Sequence, residues 1–283
     1  MNLGQTLNDT RKELEQNGIE DASLEAEVLV RHVLGIDRAT LYAQPEHDVS
    51  FVEAEHLQKM VIRRISGEPS AYITGHREFF GHDFIVSPGV LIPRPETELL
   101  VELAIGRYAG AQYTSVADIG TGSGAIAVSL ALKIPGIVVY ATDISASALN
   151  TARENAKKHG VADRIIFREG DLLEALPEPV DLICANLPYV READLPEDGP
   201  LQFEPREALA GGPDGLTYLE RMFRKAPGKL KPGGGMLLEI GEGQATAVTR
   251  ALDTSFPGSL IHLHHDLAGT GRVIELRLTE NRG

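Results

Sequence analysis

Two clusters in this 283-residue chain combine residue types and spacing suited to chemistry. The first runs Asp118-Ile119-Gly120-Thr121-Gly122-Ser123-Gly124-Ala125. Its three glycines sit between an apolar run and a helical pattern, where backbone can approach a ligand closely. Asp143 ends the next apolar run, where a carboxylate can accept hydrogen bonds from ribose hydroxyls. With Ala125 the loop also fits the dinucleotide fingerprint G-x-G-x-x-G/A, so a nicotinamide dinucleotide is open at this point. The second cluster is Asn186-Leu187-Pro188-Tyr189, directly after the apolar stretch 181–185. Pro188 offers no N–H to a sheet and confines Leu187 to extended conformations. An amide, a carbonyl and an aromatic ring are thereby held in one stiff shape at a strand end.

The elements that must position these clusters have two textures. Residues 1–67 read as a small helical domain of about four helices. Leu3, Leu7 and Leu14 share a face, and Gly18 stops the first helix. Asp21 or Ser23 can open a second helix ending near Gly35. Ser50-Phe51-Val52-Glu53 has the form of a capping box, followed by Ala54, Leu57, Val61 and Ile65 at helical spacing. Residues 68–95 form a link, with a short hairpin expected across Gly81-His82-Asp83 and stiffness from Pro93 and Pro95. From residue 96 to 283 strands and helices alternate, which implies a mostly parallel sheet with helices on both faces. The fold class is therefore α/β, with a final hairpin over 259–264 and 272–278.

Open sheets of this kind bind ligands at the carboxyl ends of their strands. Asp118 precedes the loop in a D-x-G-x-G-x-G form that resembles motif I of S-adenosylmethionine-dependent methyltransferases. The resemblance implies a Rossmann-like class I domain, with Gly120, Thr121, Gly122, Ser123, Gly124 and Asp143 around the cofactor. It also places Asp171, followed by Leu172, beside the adenine, with Asn186 closing the cofactor site. Asn186-Leu187-Pro188-Tyr189 resembles the [N/D]-P-P-[Y/F/W] motif of amino-methyltransferases, with Leu187 standing where that motif has proline. In that class the acceptor nitrogen is a poor nucleophile, because its lone pair is delocalised. Two acceptors on its N–H bonds would orient it and favour the build-up of positive charge. The resemblance assigns those roles to the Asn186 side-chain oxygen and the Leu187 carbonyl. Tyr189 supplies a face for the planar group, and Pro188 completes the substrate site. No metal is required.

The flanking stretches "GEPSAYITGHREFFG", "VLIPRPETELLVE", "FEPREALAGGPDGL" and "HDLAGTGRV" together resemble the HemK/PrmC family of protein-(glutamine-N5) methyltransferases. The resemblance covers about residues 8–278. It implies transfer of a methyl group to the glutamine of the Gly-Gly-Gln motif in class 1 peptide-chain release factors. The helical domain would dock the body of that partner. The runner-up is adenine-N6 methylation of rRNA or DNA. A non-catalytic docking module that binds S-adenosylmethionine is the alternative from another class, and nicotinamide-dependent oxidoreduction is more distant.

Bulk composition bears on partners. The net charge of −14 argues against binding that depends on phosphate contacts, so no direct nucleic-acid substrate is expected. Cys184 is the single cysteine, inside an apolar run, which excludes a disulfide framework and reads as core packing. No apolar run reaches the ~20 residues of a membrane span, and residues 1–16 lack a leader-type apolar core, so a cytoplasmic location is expected. A monomer is the expected state. His262, His264 and His265 read as a solvated strand end rather than a metal site, because adjacent strand residues face opposite ways. Arg77 and Arg94 fit either the substrate entrance or a brace for the link.

Overall fold

The computed structural model describes residues 1–110, 113–196 and 199–279. The chain forms two compact units, Met1–His76 with Glu197–Phe203, and Arg77–Pro196 with Glu204–Gly283. The first unit is built from α1 (Leu3–Gln16), α2 (Ala22–Leu34), α3 (Arg38–Ala43), α4 (Phe51–Ile65) and α5 (Ser70–Thr74). Its core gathers Leu3, Leu14, Leu29, Val30, Leu41, Met60 and Val61. Gly18 and Gly35 end their helices with φ of +73° and +62°, a conformation that costs glycine little. The capping box at Ser50 and Glu53 is formed in both directions. Asp21 stands before α2, but in the left-handed region and without a side-chain cap, so neither Asp21 nor Ser23 opens that helix by hydrogen bonding.

After α5 comes the hairpin of β1 (His76–Phe79) and β2 (His82–Ile85). The turn is Phe80-Gly81, with φ of +52° and +72°, one position earlier than the sequence suggests. Two successive positive φ values match the twist of the flanking strands. Then follow α6 (Thr97–Gly110), β3 (Ser115–Ile119), α7 (Ala125–Lys133), β4 (Val138–Asp143), α8 (Ala146–Lys158), β5 (Ile165–Glu169) and β6 (Val180–Ala185). The chain continues through α9 (Arg206–Leu209), α10 (Thr217–Lys225), β7 (Leu230–Glu239), α11 (Ala245–Ser255), β8 (Leu260–His265) and β9 (Gly271–Arg277).

Seven strands form one sheet in the order β5-β4-β3-β6-β7-β9-β8. The neighbours from β5 to β7 are parallel, and β9 runs antiparallel to both β7 and β8. Leu100, Leu130 and Ile137 fill one apolar layer of this unit, and Ile183, Phe223 and Leu238 another. Central strands buried on both faces explain the near-continuous apolar runs in the sequence. Cys184 is fully buried in β6. Among the described residues no helix is long and apolar enough to cross a membrane.

Candidate active site

β3 and β6 are neighbours, with Ile119 opposite Ala185, so Gly120 and Asn186 leave the sheet side by side. From this pair the chain winds outward to β4 and β5 on one side and to β7 on the other. That makes their carboxyl ends the switch point at which open α/β sheets take ligands. Both clusters singled out in the sequence lie there. A side chain at Gly120 would place its Cβ 3.0 Å from Leu187 Cδ2, so the glycine lets the two loops close on one another. Leu187 is buried, and it contributes packing as well as a carbonyl.

The glycine loop is shaped by two carboxylates. Asp118 is wholly buried. Its Oδ2 accepts from the Thr121 hydroxyl at 2.6 Å and from the Ala127 N–H at 3.1 Å. Burial pushes its pKa up to about 7. Asp118 thus holds the turn from beneath. Asp143 stands at the tip of β4, with Oδ2 accepting from the Gly122 N–H and Oδ1 from the Ser145 N–H, both at 2.9 Å. Burial raises its pKa, and these backbone bonds oppose the rise. Each carboxylate oxygen keeps a lone pair after one bond, which is what a vicinal diol needs from its partner.

Gly124 has φ of +81°, and a Cβ there would stand 3.0 Å from Ala152 Cβ, so α7 and α8 pack at close range. Asn155, fully buried on α8, donates to the Ser123 carbonyl at 2.8 Å and brackets Ile85 of β2 through both its N–H and its C=O. The Gly170 N–H donates to the Asp143 carbonyl at 2.9 Å, which draws the next segment alongside. There Asp171 forms an ion pair with Arg221, so its carboxylate is already engaged. Leu172 is buried with φ of +51°.

Past β6, the Asn186 Nδ2 donates to the Thr97 hydroxyl oxygen at 3.0 Å. The amide oxygen is left as the free end. The Leu187 carbonyl accepts none of the hydrogen bonds formed among the described residues. Tyr189 is anchored twice: its hydroxyl donates to Glu239 Oε1 at 3.3 Å, and its carbonyl accepts from Gln244 Nε2 at 3.0 Å. The stretch after Phe203 braces this turn. The Val190 N–H donates to the Leu209 carbonyl at 3.0 Å, and the Gly211 N–H to the Val190 carbonyl at 2.7 Å. Gly211 sits so close that a Cβ would fall 2.7 Å from the Pro188 oxygen. Glu204 accepts from the Ile92 N–H at 3.1 Å and pairs with Arg94. Arg94 therefore braces the entry to α6.

Thr97, Glu239, Gln244 and Asn155 did not stand out in the sequence. For Glu239 a signal existed, since it is a lone acid at the end of the apolar run "GGMLLEIG". Thr97 was hidden between Glu96 and Glu98, which read as ordinary first-turn acids. In the final hairpin, His264 Nε2 lies 2.8 Å from Glu275 Oε2.

Comparison with known proteins follows the same division. Residues 5–75 match the family described as PrmC N-terminal domain, and residues 96–198 match the methyltransferase small domain. A release factor glutamine methyltransferase from Bordetella pertussis is 47% identical, over 88% of this chain and 93% of that protein. Another from Moorella thermoacetica is 44% identical, over 88% of each. Among solved structures, a ribosomal protein L11 methylase from Lactobacillus delbrueckii subsp. bulgaricus aligns with a TM-score of 0.50. That alignment covers 72% of this chain and 89% of the other, at 26% identity. With such identity over nearly full length, this chain belongs to the release factor glutamine methyltransferase family.

Proposed function

We propose that this protein transfers a methyl group from S-adenosylmethionine to the side-chain N5 of the glutamine in the Gly-Gly-Gln motif of class 1 release factors. The observation that carries the reading is the polarity of Asn186. With its Nδ2 tied to Thr97, its oxygen is left to accept, next to a Leu187 carbonyl that no described residue occupies. Two acceptors side by side suit a primary amide, which has two N–H bonds to offer.

The residues present also fit the methyl donor. Asp143 is aimed by backbone N–H groups and retains acceptor capacity for a ribose diol, while a Cβ on Gly122 would meet nothing within 4 Å. Gly120 to Gly124, Asp143, Asp171, Leu172 and Asn186 would hold the nucleoside. When bound, the donor would supply a sulfonium methyl, its C–S bond breaking as the N–C bond forms, with one N–H proton of the amide passing to water. Asn186 and Leu187 orient the amide, oppose its resonance and stabilise the developing positive charge. Tyr189, fixed at both ends, presents its ring to the planar group. Such positioning can supply roughly 7–11 kcal/mol of the barrier. Residues 1–67 would dock the release factor, and the protein would act as a cytoplasmic monomer.

Purified protein incubated with S-adenosylmethionine and a release factor should add one methyl group, mapped by mass spectrometry to the Gly-Gly-Gln glutamine. At a net charge of −14, protein-free rRNA should be a poor acceptor. Methylated RNA alongside an unmodified release factor would replace this reading with adenine methylation.

A further inference from the structure

We infer that Glu239 and Thr97 are positioning residues that together decide which end of the Asn186 amide faces the methyl acceptor. The inference rests on the reading of Asn186 as a hydrogen-bond acceptor for the substrate amide. Glu239 ends β7 beside β6, where Leu238 lies opposite Ala185, and it is buried to 1% exposure. Its Oε1 takes the Tyr189 hydroxyl, while Oε2 is buried and makes no hydrogen bond among the described residues. The Thr97 hydroxyl, also buried, lies close enough to favour the charged form of this carboxylate. Its oxygen is in turn the acceptor for Asn186 Nδ2.

A threonine hydroxyl has one proton and two lone pairs. An ionised Glu239 can only accept, and its buried, unpartnered Oε2 is the acceptor on offer to the Thr97 proton, which leaves the Thr97 oxygen to accept from Asn186. Asn186 must then turn its NH2 inward and its oxygen toward the crevice. A protonated Glu239 can donate to Thr97 instead, which frees the threonine proton to point at Asn186. The amide is then equally satisfied with its oxygen inward. In that orientation its NH2 meets the NH2 of the substrate, donor against donor, and the acceptor pair is lost. The carboxylate therefore removes an ambiguity that Asn186 and Thr97 alone leave open.

The groups around Glu239 divide in their effect. Burial and the nearby Glu96 favour the protonated form, while Thr97, the Tyr189 hydroxyl and Arg272 of β9 favour the charge, and its pKa is pushed up to about 7. Burial and Glu239 both raise the Tyr189 pKa, so its hydroxyl remains a donor throughout this range. Methyl transfer should therefore weaken as pH falls through about 7.

The test uses the full chain, S-adenosylmethionine and an intact release factor, with kcat, KM and donor affinity measured across pH. Thr97→Val should lower kcat by ~10–100-fold, the scale for removing an outer partner that orients a reacting group. KM and donor affinity should stay within about threefold, because the lost contact serves the transition state. Thr97→Ser should recover most of the rate. In Glu239→Gln the acid limb near pH 7 should disappear, since the titrating group is gone. The Thr97 pair decides the matter even where Glu239→Gln fails to fold. A Thr97→Val protein with parental kcat, or a serine variant as slow as the valine one, would overturn the inference. Absence of methyl on the glutamine with the parent protein would overturn both this inference and the functional reading. Equal transfer by the parent and Thr97→Val would overturn this inference alone.

Discussion

Asn186 shows how little an isolated side chain says about its role. Its amide has one end that donates and one that accepts, and only the bond to Thr97 at 3.0 Å distinguishes them in the fold. If the free oxygen polarises the acceptor nitrogen, Asn186→Ala should slow the chemical step by about 10²–10³, as deletion of one preorganised polar contact does elsewhere. Donor binding should change far less, because Asp143 is held by Gly122 and Ser145 without help from Asn186. Single-turnover rates with calorimetric donor affinities would separate the two effects. Full activity in the alanine protein would reduce Asn186 to a wall of the pocket. The residue types at positions 186–189 were legible in the sequence because proline punctuation at a strand end is a local signal. The partners that give them polarity, Thr97 and Glu239, come from distant segments and were not legible.

At the scale of elements, the glycine loop is held from behind by a hairpin. Asn155 of α8 satisfies the Ile85 N–H at 2.7 Å, the Ile85 carbonyl at 2.9 Å and the Ser123 carbonyl at 2.8 Å with one buried amide. Nearby, Lys158 pairs with Asp83, and His159 Nε2 lies 2.9 Å from the Asp83 carbonyl. Asn155→Ala would leave three backbone groups without partners, at ~1–3 kcal/mol for each that stays buried. Relaxation recovers part of this, so a net loss of roughly 2–4 kcal/mol is expected, with weaker donor binding because Ser123 is released. Denaturant unfolding and hydrogen exchange at Ile85 would report it. Unchanged protection of the Ile85 amide would show that the hairpin is held by packing instead. The existence of α8 and of the hairpin follows from local pattern. Their junction depends on an asparagine that reads as an unremarkable helix residue until its neighbours are known.

For the whole molecule, two buried acids set a pH dependence that net charge does not reveal. Burial raises Asp118 from 3.8 and Glu239 from 4.5, each to about 7. A carboxyl raised in the folded state contributes stability that is fully present below its unfolded pKa and is lost as pH rises through the folded one. The two shifts correspond to something on the order of 3–4.5 kcal/mol each, surrendered between about pH 4 and pH 7. Asp266 and Asp181 act in the opposite sense. Hydrogen bonds led by the Thr270 N–H lower Asp266, and hydrogen bonds led by Lys231 lower Asp181 against its burial, so their contributions are lost in acid. Asp118→Asn should therefore flatten the decline in urea stability between about pH 5 and pH 8. A roughly constant cost remains, because the new amide NH2 would occupy the site of a buried oxygen with no partner among the described residues. Parallel stability curves for parent and variant would exclude proton binding by Asp118 in that range.

What the sequence determined alone is whatever depends on short-range geometry. The glycine loop, the proline-stiffened strand end, the capping box at Ser50 and the helix stops at Gly18 and Gly35 are dictated by backbone sterics within a few residues. Alternation of strands and helices then implied the sheet, and handedness restricted its winding. Tertiary structure alone decided how the two clusters meet and what charges them. The adjacency of Gly120 and Leu187 depends on β3 pairing with β6 across more than sixty residues of chain. The acidity of Glu239 depends on how completely other segments exclude water from it. Burial and hydrogen-bond polarity are properties of surroundings, and no window of sequence contains them.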